Sequence, residues 1–493
     1  MSNRGPVQFE VSEHGRIVPR PGAGALAMTL CALEVAEPVV FVSNATSPAD
    51  AIAAGRVEDA TRYSFLACRS AAIRLVEHDA AVFDQAYGFC NSILWDLHHS
   101  LGGSACARAP DVLEDFETYA AVNERMAAAV VREASRLRKH DVVVRSHDYH
   151  VYLAPALVRA QRPELVLHHF VHVPWPPAEE WLALPREVRR DVYDGLLAND
   201  VVSFQTRRDA EHFRSGIRAM AGVEVEVGTS VARIGDRAVR ITHNPVSVDV
   251  TRLTELIAAS PVRRATELLR REMQLSTAKR KVIVRVDRID PAKNVAAGFV
   301  AFRLLLQDHP EVRERVSFLA VLEPSRLGSA MYRRYQEEVT AAISAVNAEF
   351  GTAHWIPIRA EIAVGREVAL AALQLFDVLV VNSNADGQNL VVKEASILNS
   401  GDGVVILSSL AGAYAELGEH VIGVDPSDTR ALADALWTAL MMRAPERRRL
   451  ARGCREVVVQ RPLSQWNAQQ EAEIDLVRRS RAAVRTGGWL PPP

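Results

Sequence analysis

The chain predicts an α/β protein of two doubly wound domains facing each other across a central cleft. Three observations carry that prediction. With 493 residues the chain exceeds what one hydrophobic core usually serves. Short runs of valine and isoleucine recur without polar alternation, each followed by a loop and a helical segment, as expected of parallel strands covered on both faces. The runs fall into two series separated by "ITHNPVSVDVTRL" (241–253), where Asn244-Pro245 breaks local order.

In the first series "DVVVRS" (141–146), "LVLHHFVHV" (165–173) and "NDVVSFQ" (199–205) each lead into a loop or helical segment. In the second, "KVIVRV" (281–286), "RVSFLAVL" (315–322), "FDVLVV" (376–381) and "GVVILS" (403–408) do the same. Helical periodicity is clear over 112–139, 294–308 and 328–349. The first domain is placed at 1–245 and the second from 246, and "GGWLPPP" belongs to a frayed tail over 483–493. In doubly wound sheets ligands sit at the carboxyl ends of the strands, and every unusual loop of this chain falls there.

Composition narrows the function. A hydrophobic content of 48% with 24% charged residues is that of a soluble globular protein, and a net charge of -2 argues against nucleic-acid or acidic-membrane partners. The five cysteines have no paired or metal-type spacing, which suits a reducing compartment. No run of 18 apolar residues and no signal-peptide pattern occurs, so a cytoplasmic location is expected. The expected partners are small molecules and, beyond them, at most further copies of the same chain.

Three constellations carry chemistry. In "NADGQNLVVKEA" (384–395) a buried strand gives way to polar residues and then a helix, whose first amides are unpaired and favour anionic or hydroxyl oxygens. Gly387 lets a ligand approach the backbone, Asp386 can accept from sugar hydroxyls, and Glu394 is spaced for a second diol such as a ribose. The alternative is that Asp386 caps the helix and Glu394 is solvated. In "VDRIDPAKN" (286–294), Arg288 and Lys293 lie on a loop after a strand, and two cations plus helix amides make a pyrophosphate cradle. Surface charge is the competing explanation. In "SHDYH" (146–150) and "HHFVHVPWPP" (168–177) the clustered histidines invite a metal, but no cysteine or paired carboxylate completes a ligand spacing. Asp148 and His172 read instead as polar groups gripping a hydroxylated substrate. "RPGAGAL" (20–26) is by itself a glycine turn.

Taken in order, "SNRGP", "NSILW", "HDYHVYLAPALVR", "FVHVPWPP", "GLLANDVVSFQT", "VDRIDPAKN", "NADGQNLVVKEA" and "AGAYAELG" resemble the trehalose-6-phosphate synthases, retaining glycosyltransferases of family 20. The resemblance runs over nearly the whole chain. It implies the GT-B fold of two Rossmann-like domains, with the donor domain at 246–463 and a last helix, 464–482, crossing back. It implies transfer of a hexosyl group from UDP- or GDP-glucose to a sugar phosphate such as glucose 6-phosphate, without metal or other cofactor. The catalytic set it implies is His172, Asp148, Arg288 and Lys293. Donor contacts fall to Arg288, Lys293, Asp386, Gly387, Gln388, Asn389, Leu390, Val391 and Glu394, with Gly24 on the first domain. Acceptor contacts fall to Arg4, Tyr87, Trp95, Asp148 and Arg326.

The chain departs from that pattern at several points. Ala385 stands where an arginine is usual, Gln388 where Met or Leu is usual, and Ala25 interrupts the expected glycine pair. Tyr87 lies one position from an expected tyrosine, at which this chain has Ala86, and an apolar first strand before "SNRGP" is missing. Two further functions are weighed, the first suggested by these departures and the second from another class, against which the presence of both Arg288 and Lys293 argues. One is a pseudo-glycosyltransferase of specialised, antibiotic-type metabolism, coupling a nucleotide-activated cyclitol or sugar to a non-standard acceptor. The other is a non-catalytic sugar-phosphate sensor.

Overall fold

In the second half of the chain six strands form one all-parallel sheet. Its spatial order is Ile358–Ile362, Val316–Pro324, Lys281–Ile289, Val378–Val381, Val404–Ser408 and Ile422–Val424. Numbered by sequence within the sheet, that order is 3-2-1-4-5-6, the doubly wound arrangement in which ligands bind where the strand order reverses. The reversal lies between Lys281–Ile289 and Val378–Val381, paired through Ile283 with Val378 and Val284 with Leu379. The valine and isoleucine runs are explained by cover on both faces. Ile283, Phe318, Val380 and Ile406 pack into one core, and Val282, Val284, Leu319, Val381 and Leu407 pack into another. Each such side chain contributes about 1.5–3 kcal/mol by leaving water.

The computed structural model describes residues 1–22, 39–55, 61–65, 68–102, 111–137, 142–220, 230–235, 237–275 and 280–485. Two compact units divide the chain: Met1–Val246 together with Leu463–Pro493, and Ser247–Pro462. In the first unit five strands order as Val143–His147, Val166–Phe170, Val201–Phe204, Arg237–His243 and Val231–Ile234. The first four run parallel, and the last is antiparallel to its neighbour. A three-stranded sheet is built from Val40–Asn44, Cys68–Val76 and Thr61–Phe65.

The opening residues make a backbone bridge ahead of the first strand. Ser2 pairs in parallel with Ser43, the Ser2 amide donates to the Val42 carbonyl, and the His147 amide donates to the Met1 carbonyl. Residues 1–3 therefore run between Val40–Asn44 and Val143–His147, bonded to both through the backbone without forming a strand. Their polarity hid them, because Ser2 and Asn3 are buried and paired through backbone and amide groups rather than by an apolar run.

The helix Leu463–Arg485 belongs to the first unit. Its Ile474 and Val477 pack on Val166 and Val201, and Trp466 meets the Phe170 ring edge-on at 5.2 Å. The helices Val112–Arg136, Val295–Asp308 and Ala330–Phe350 fall within a few residues of the periodic segments. Among the described residues no helix is long and apolar enough to cross a membrane.

Candidate active site

The switch point of the six-stranded sheet gathers the two donor-type loops. Past Val378–Val381 the chain turns through 382–389 into the helix Leu390–Leu398. Past Lys281–Ile289 it makes a single 3-10 turn, Pro291–Lys293, before the helix Val295–Asp308. Arg288 lies on the strand rather than in the loop. The neighbouring strand Val316–Pro324 runs on beside it and pairs Arg288 with Glu323, so the pleat continues to Ile289.

Lys293 Nζ forms an ion pair with Asp386 Oδ2, with both side chains largely buried. Asp386 also accepts from Asn389 Nδ2 at 3.0 Å and from Ser383 Oγ at 3.4 Å. The helix cap is Asn389, not Asp386: Asn389 Oδ1 accepts from the Val392 amide at 3.4 Å. Asn389 reaches the cap with φ of 64°, a left-handed conformation that asparagine tolerates better than most residues. Asp386 is thereby left to face Lys293. Leu390 and Val391 are partly buried and pack against the apolar core. Glu394 is half-buried, with 22% of its side chain exposed. Burial raises its carboxyl pKa, opposed by Arg366, whose Nη2 donates to Glu394 Oε1 at 3.2 Å.

A second carboxylate organises the cations. Asp290 is fully buried and takes Arg326 Nη1 at 3.3 Å, Arg288 Nη2 at 3.7 Å and Tyr332 Oη at 3.4 Å. Arg288 keeps 42% of its side chain exposed, whereas Arg326 is drawn inward over the Tyr332 ring. Behind the loops Arg285 is fully buried. It donates to the carbonyls of Lys293 and Val295 at 3.1 and 3.0 Å, to Asp287 at 3.0 Å and to Asn382 Oδ1. One guanidinium thus ties both switch-point loops together. Gly298 makes room for it, since a Cβ there would sit 2.7 Å from Arg285 Nη1.

In the first unit Asp148, His172 and Gln205 follow three adjacent parallel strands at their carboxyl ends. The Asp148 amide donates to the Phe170 carbonyl at 2.8 Å, and Asp148 Oδ1 accepts from the His172 amide at 3.3 Å. His147 Nδ1 lies 3.2 Å from His172 Nε2, and Gln205 Nε2 lies 3.4 Å from His172 Nδ1. Burial holds the His172 pKa down to about 3, so the ring is neutral. Burial pushes the Asp148 carboxyl up to about 7, against the backbone amides that bond it. Asp148 also has φ of 71°, a strained conformation for a non-glycine residue.

Arg4 Nη2 donates to Tyr87 Oη at 3.3 Å, and the Tyr87 ring stacks on His150. Trp95 is buried, stacked 3.9 Å from His99, and follows a π-helical turn, Phe89–Leu94, of the kind that recurs at functional sites. Gly24 lies outside the described residues. Among them, no group of three or more His, Cys, Asp or Glu side chains is placed to hold a metal ion.

The profile of glycosyltransferase family 20 matches residues 1–475. The chain belongs to glycosyltransferase family 20. It is 35% identical over 382 residues to a bifunctional trehalose-6-phosphate synthase/phosphatase of Thermoproteus tenax, covering 77% of this chain and 50% of that protein. The chain therefore spans half the length of that relative. It is 30% identical over 403 residues to the trehalose-6-phosphate synthase of Mycobacterium avium, covering 80% of this chain and 79% of the other.

Among solved structures it resembles a UDP-forming α,α-trehalose-phosphate synthase from Burkholderia xenovorans in complex with glucose 6-phosphate. The TM-score is 0.80 at 25% identity, over 96% of this chain and 98% of that one. The α,α-trehalose 6-phosphate synthase of Burkholderia multivorans gives a TM-score of 0.84 at 24% identity, over 99% and 98%. The family 20 fold is GT-B, with two Rossmann-like domains, and the sheets described above are theirs.

Sequence reasoning passed over Arg285, Asp290, Asn382, Arg366 and Glu416. Arg285 had a signal, a lone cation inside the apolar run "KVIVRV". Arg366 had none, because its partner Glu394 is 28 residues away in sequence.

Proposed function

We propose that the protein is a retaining hexosyltransferase that moves a sugar from a nucleoside diphosphate, UDP or GDP, to a sugar phosphate such as glucose 6-phosphate. The observation that supports it most is the switch point, where Lys293 pairs with Asp386 and Asp386 accepts from Asn389 at the start of Leu390–Leu398. Departure of the nucleotide develops negative charge on the β-phosphate. Arg288, Lys293 and the helix amides are already oriented, so they favour the transition state over the ground state without reorganising. Asp386 accepts from donor-sugar hydroxyls and Glu394 from the ribose diol. In the first unit Asp148 and neutral His172 hold the acceptor, with Arg4, Tyr87 and Trp95 as further contacts; in the second unit Arg326 is a candidate phosphate ligand. No protein nucleophile is required: the leaving phosphate oxygen takes the acceptor proton as the acceptor hydroxyl attacks from the same face.

Incubation with UDP- or GDP-glucose and glucose 6-phosphate should release the nucleoside diphosphate and give an α,α-1,1-linked product. Release with neither donor would reject this reading. A second reading, coupling to a non-standard acceptor as in pseudo-glycosyl transfer, is favoured by one feature. Gln388 places an amide in the donor loop where the family usually carries an apolar side chain, and that amide donates to Glu416. Nucleotide binding without any response to glucose 6-phosphate would select it.

A further inference from the structure

Glu416 lies on the short helix Tyr414–Leu417, after the strand Val404–Ser408. Its carboxylate is nearly sealed, with 5% of the side chain exposed, yet it takes three donors. Lys393 Nζ, on the first turn of Leu390–Leu398, approaches Oε2 at 2.5 Å. Gln388 Nε2, in the donor turn, donates to the same oxygen. Arg461 Nη1 reaches Oε1 at 2.9 Å. A carboxylate only accepts, so the Gln388 amide must turn its nitrogen to Glu416, and its carbonyl Oε1 has no partner among the described residues.

The backbone doubles the link. The Gly412 amide donates to the Asp386 carbonyl and the Ala413 amide to the Gln388 carbonyl, each at 3.0 Å. Gly412 has to be glycine, because a Cβ there would lie 1.8 Å from the Gly387 carbonyl oxygen. Segment 411–416 is thus clamped along the whole of the Asp386–Gln388 turn.

We propose that Glu416 is a positioning residue for donor binding, acting through Gln388 and Lys393 rather than by touching ligand. Lys393 fixes the first helical turn, Gln388 fixes the turn beside it, and one buried carboxylate sets both. This rests on the reading of the switch point as a nucleotide-sugar site. Removal of the carboxylate would take a countercharge from the buried Lys393 ammonium. Burial indeed lowers the Lys393 pKa, and Glu416 opposes that shift.

The test is a double-mutant cycle on the full chain, read by calorimetric binding of UDP-glucose and GDP-glucose and by donor and acceptor KM. Glu416→Gln and Gln388→Met are each expected to weaken nucleotide-sugar binding about tenfold, and the pair together about tenfold rather than about a hundredfold. Donor KM should rise while acceptor KM stays. An effect of Glu416→Gln below about twofold, or a double variant at the full product of the single effects, would overturn the proposal, since a merely structural carboxylate acts independently of Gln388. If Glu416→Gln loses cooperative unfolding, Glu416→Asp takes its place in the cycle, keeping a charge for Lys393 while retracting it by one methylene. A parent protein that binds neither nucleotide sugar rejects the functional reading itself, and this proposal with it. A parent that binds but shows no Gln388–Glu416 coupling rejects only the proposal.

Discussion

Arg288 and Asp148 illustrate two ways in which one side chain bears on the chemistry. Arg288 keeps 42% of its side chain exposed and lies 3.7 Å from Asp290 at the end of its strand, where a cation can stabilise a leaving phosphate. Arg288→Ala should cut turnover by about two to three orders of magnitude, with the unfolding midpoint unchanged. Steady-state rates beside a denaturation curve check both halves. Asp148 is costly to the fold because burial lifts its pKa to about 7 from an ordinary 3.8. For an acid shifted upward, the unfolded chain releases its proton first. The contribution of Asp148 to stability is therefore present at low pH and is lost as pH rises through about 7. Asp148→Asn keeps the shape and removes the titration. The variant should be more stable than the parent by a few kcal/mol above pH 7, with the gap closing toward pH 4. Its acceptor KM should rise at the same time, a trade of activity for stability. Denaturant midpoints at pH 5 to 8 would show it, and a gap independent of pH would remove the buried carboxylate from the account.

At the scale of elements, the switch-point loops are held from behind by Arg285. Its guanidinium satisfies the carbonyls of Lys293 and Val295 and binds Asp287 and Asn382, all in a fully buried setting. Arg285→Met would leave the buried Asp287 without its closest cation, at a cost of about 3–5 kcal/mol. Chemical denaturation should show that loss, and donor KM should rise because both loops lose their common tie. Nine non-glycine residues among those described have positive φ, and four of them lie near candidate site groups. These are Asp148, Asn294, Arg326 and Asn389, each beside a strand end or helix start that carries a candidate ligand group. Strain of this kind costs about 1–3 kcal/mol per residue and persists where surrounding contacts over-determine the backbone.

On the scale of the whole molecule, the chain's last helix folds with its first unit. Trp466 packs against Phe170, Arg240 binds Glu473 at 2.6 Å, and Arg481 binds Asp200 at 2.7 Å. Trp466→Ala should destabilise the Met1–Val246 unit by about 3–5 kcal/mol and leave Ser247–Pro462 unaffected. Hydrogen exchange resolved by segment would separate the two responses. A matching loss in Ser247–Pro462 would sink the expectation.

Local chemistry determined much of this protein before any coordinates. Unalternated valine and isoleucine runs demand cover on both faces, so they dictated parallel sheets. Polar residues directly after such runs lie at a strand end in "NADGQN", whereas in "VDRIDPAKN" the strand runs on through Arg288 to Ile289 before the turn. Resemblance then attached a reaction to those loops. What tertiary structure alone decided is which charge meets which. Lys293 meets Asp386 across 93 positions because the 3-2-1-4-5-6 order sets the first strand beside the fourth. Glu416 gathers Gln388, Lys393 and Arg461 across 28, 23 and 45 positions. Periodicity describes which face of an element is buried. A buried carboxylate's choice of partner depends on where strand order places distant loops, and no local pattern records that.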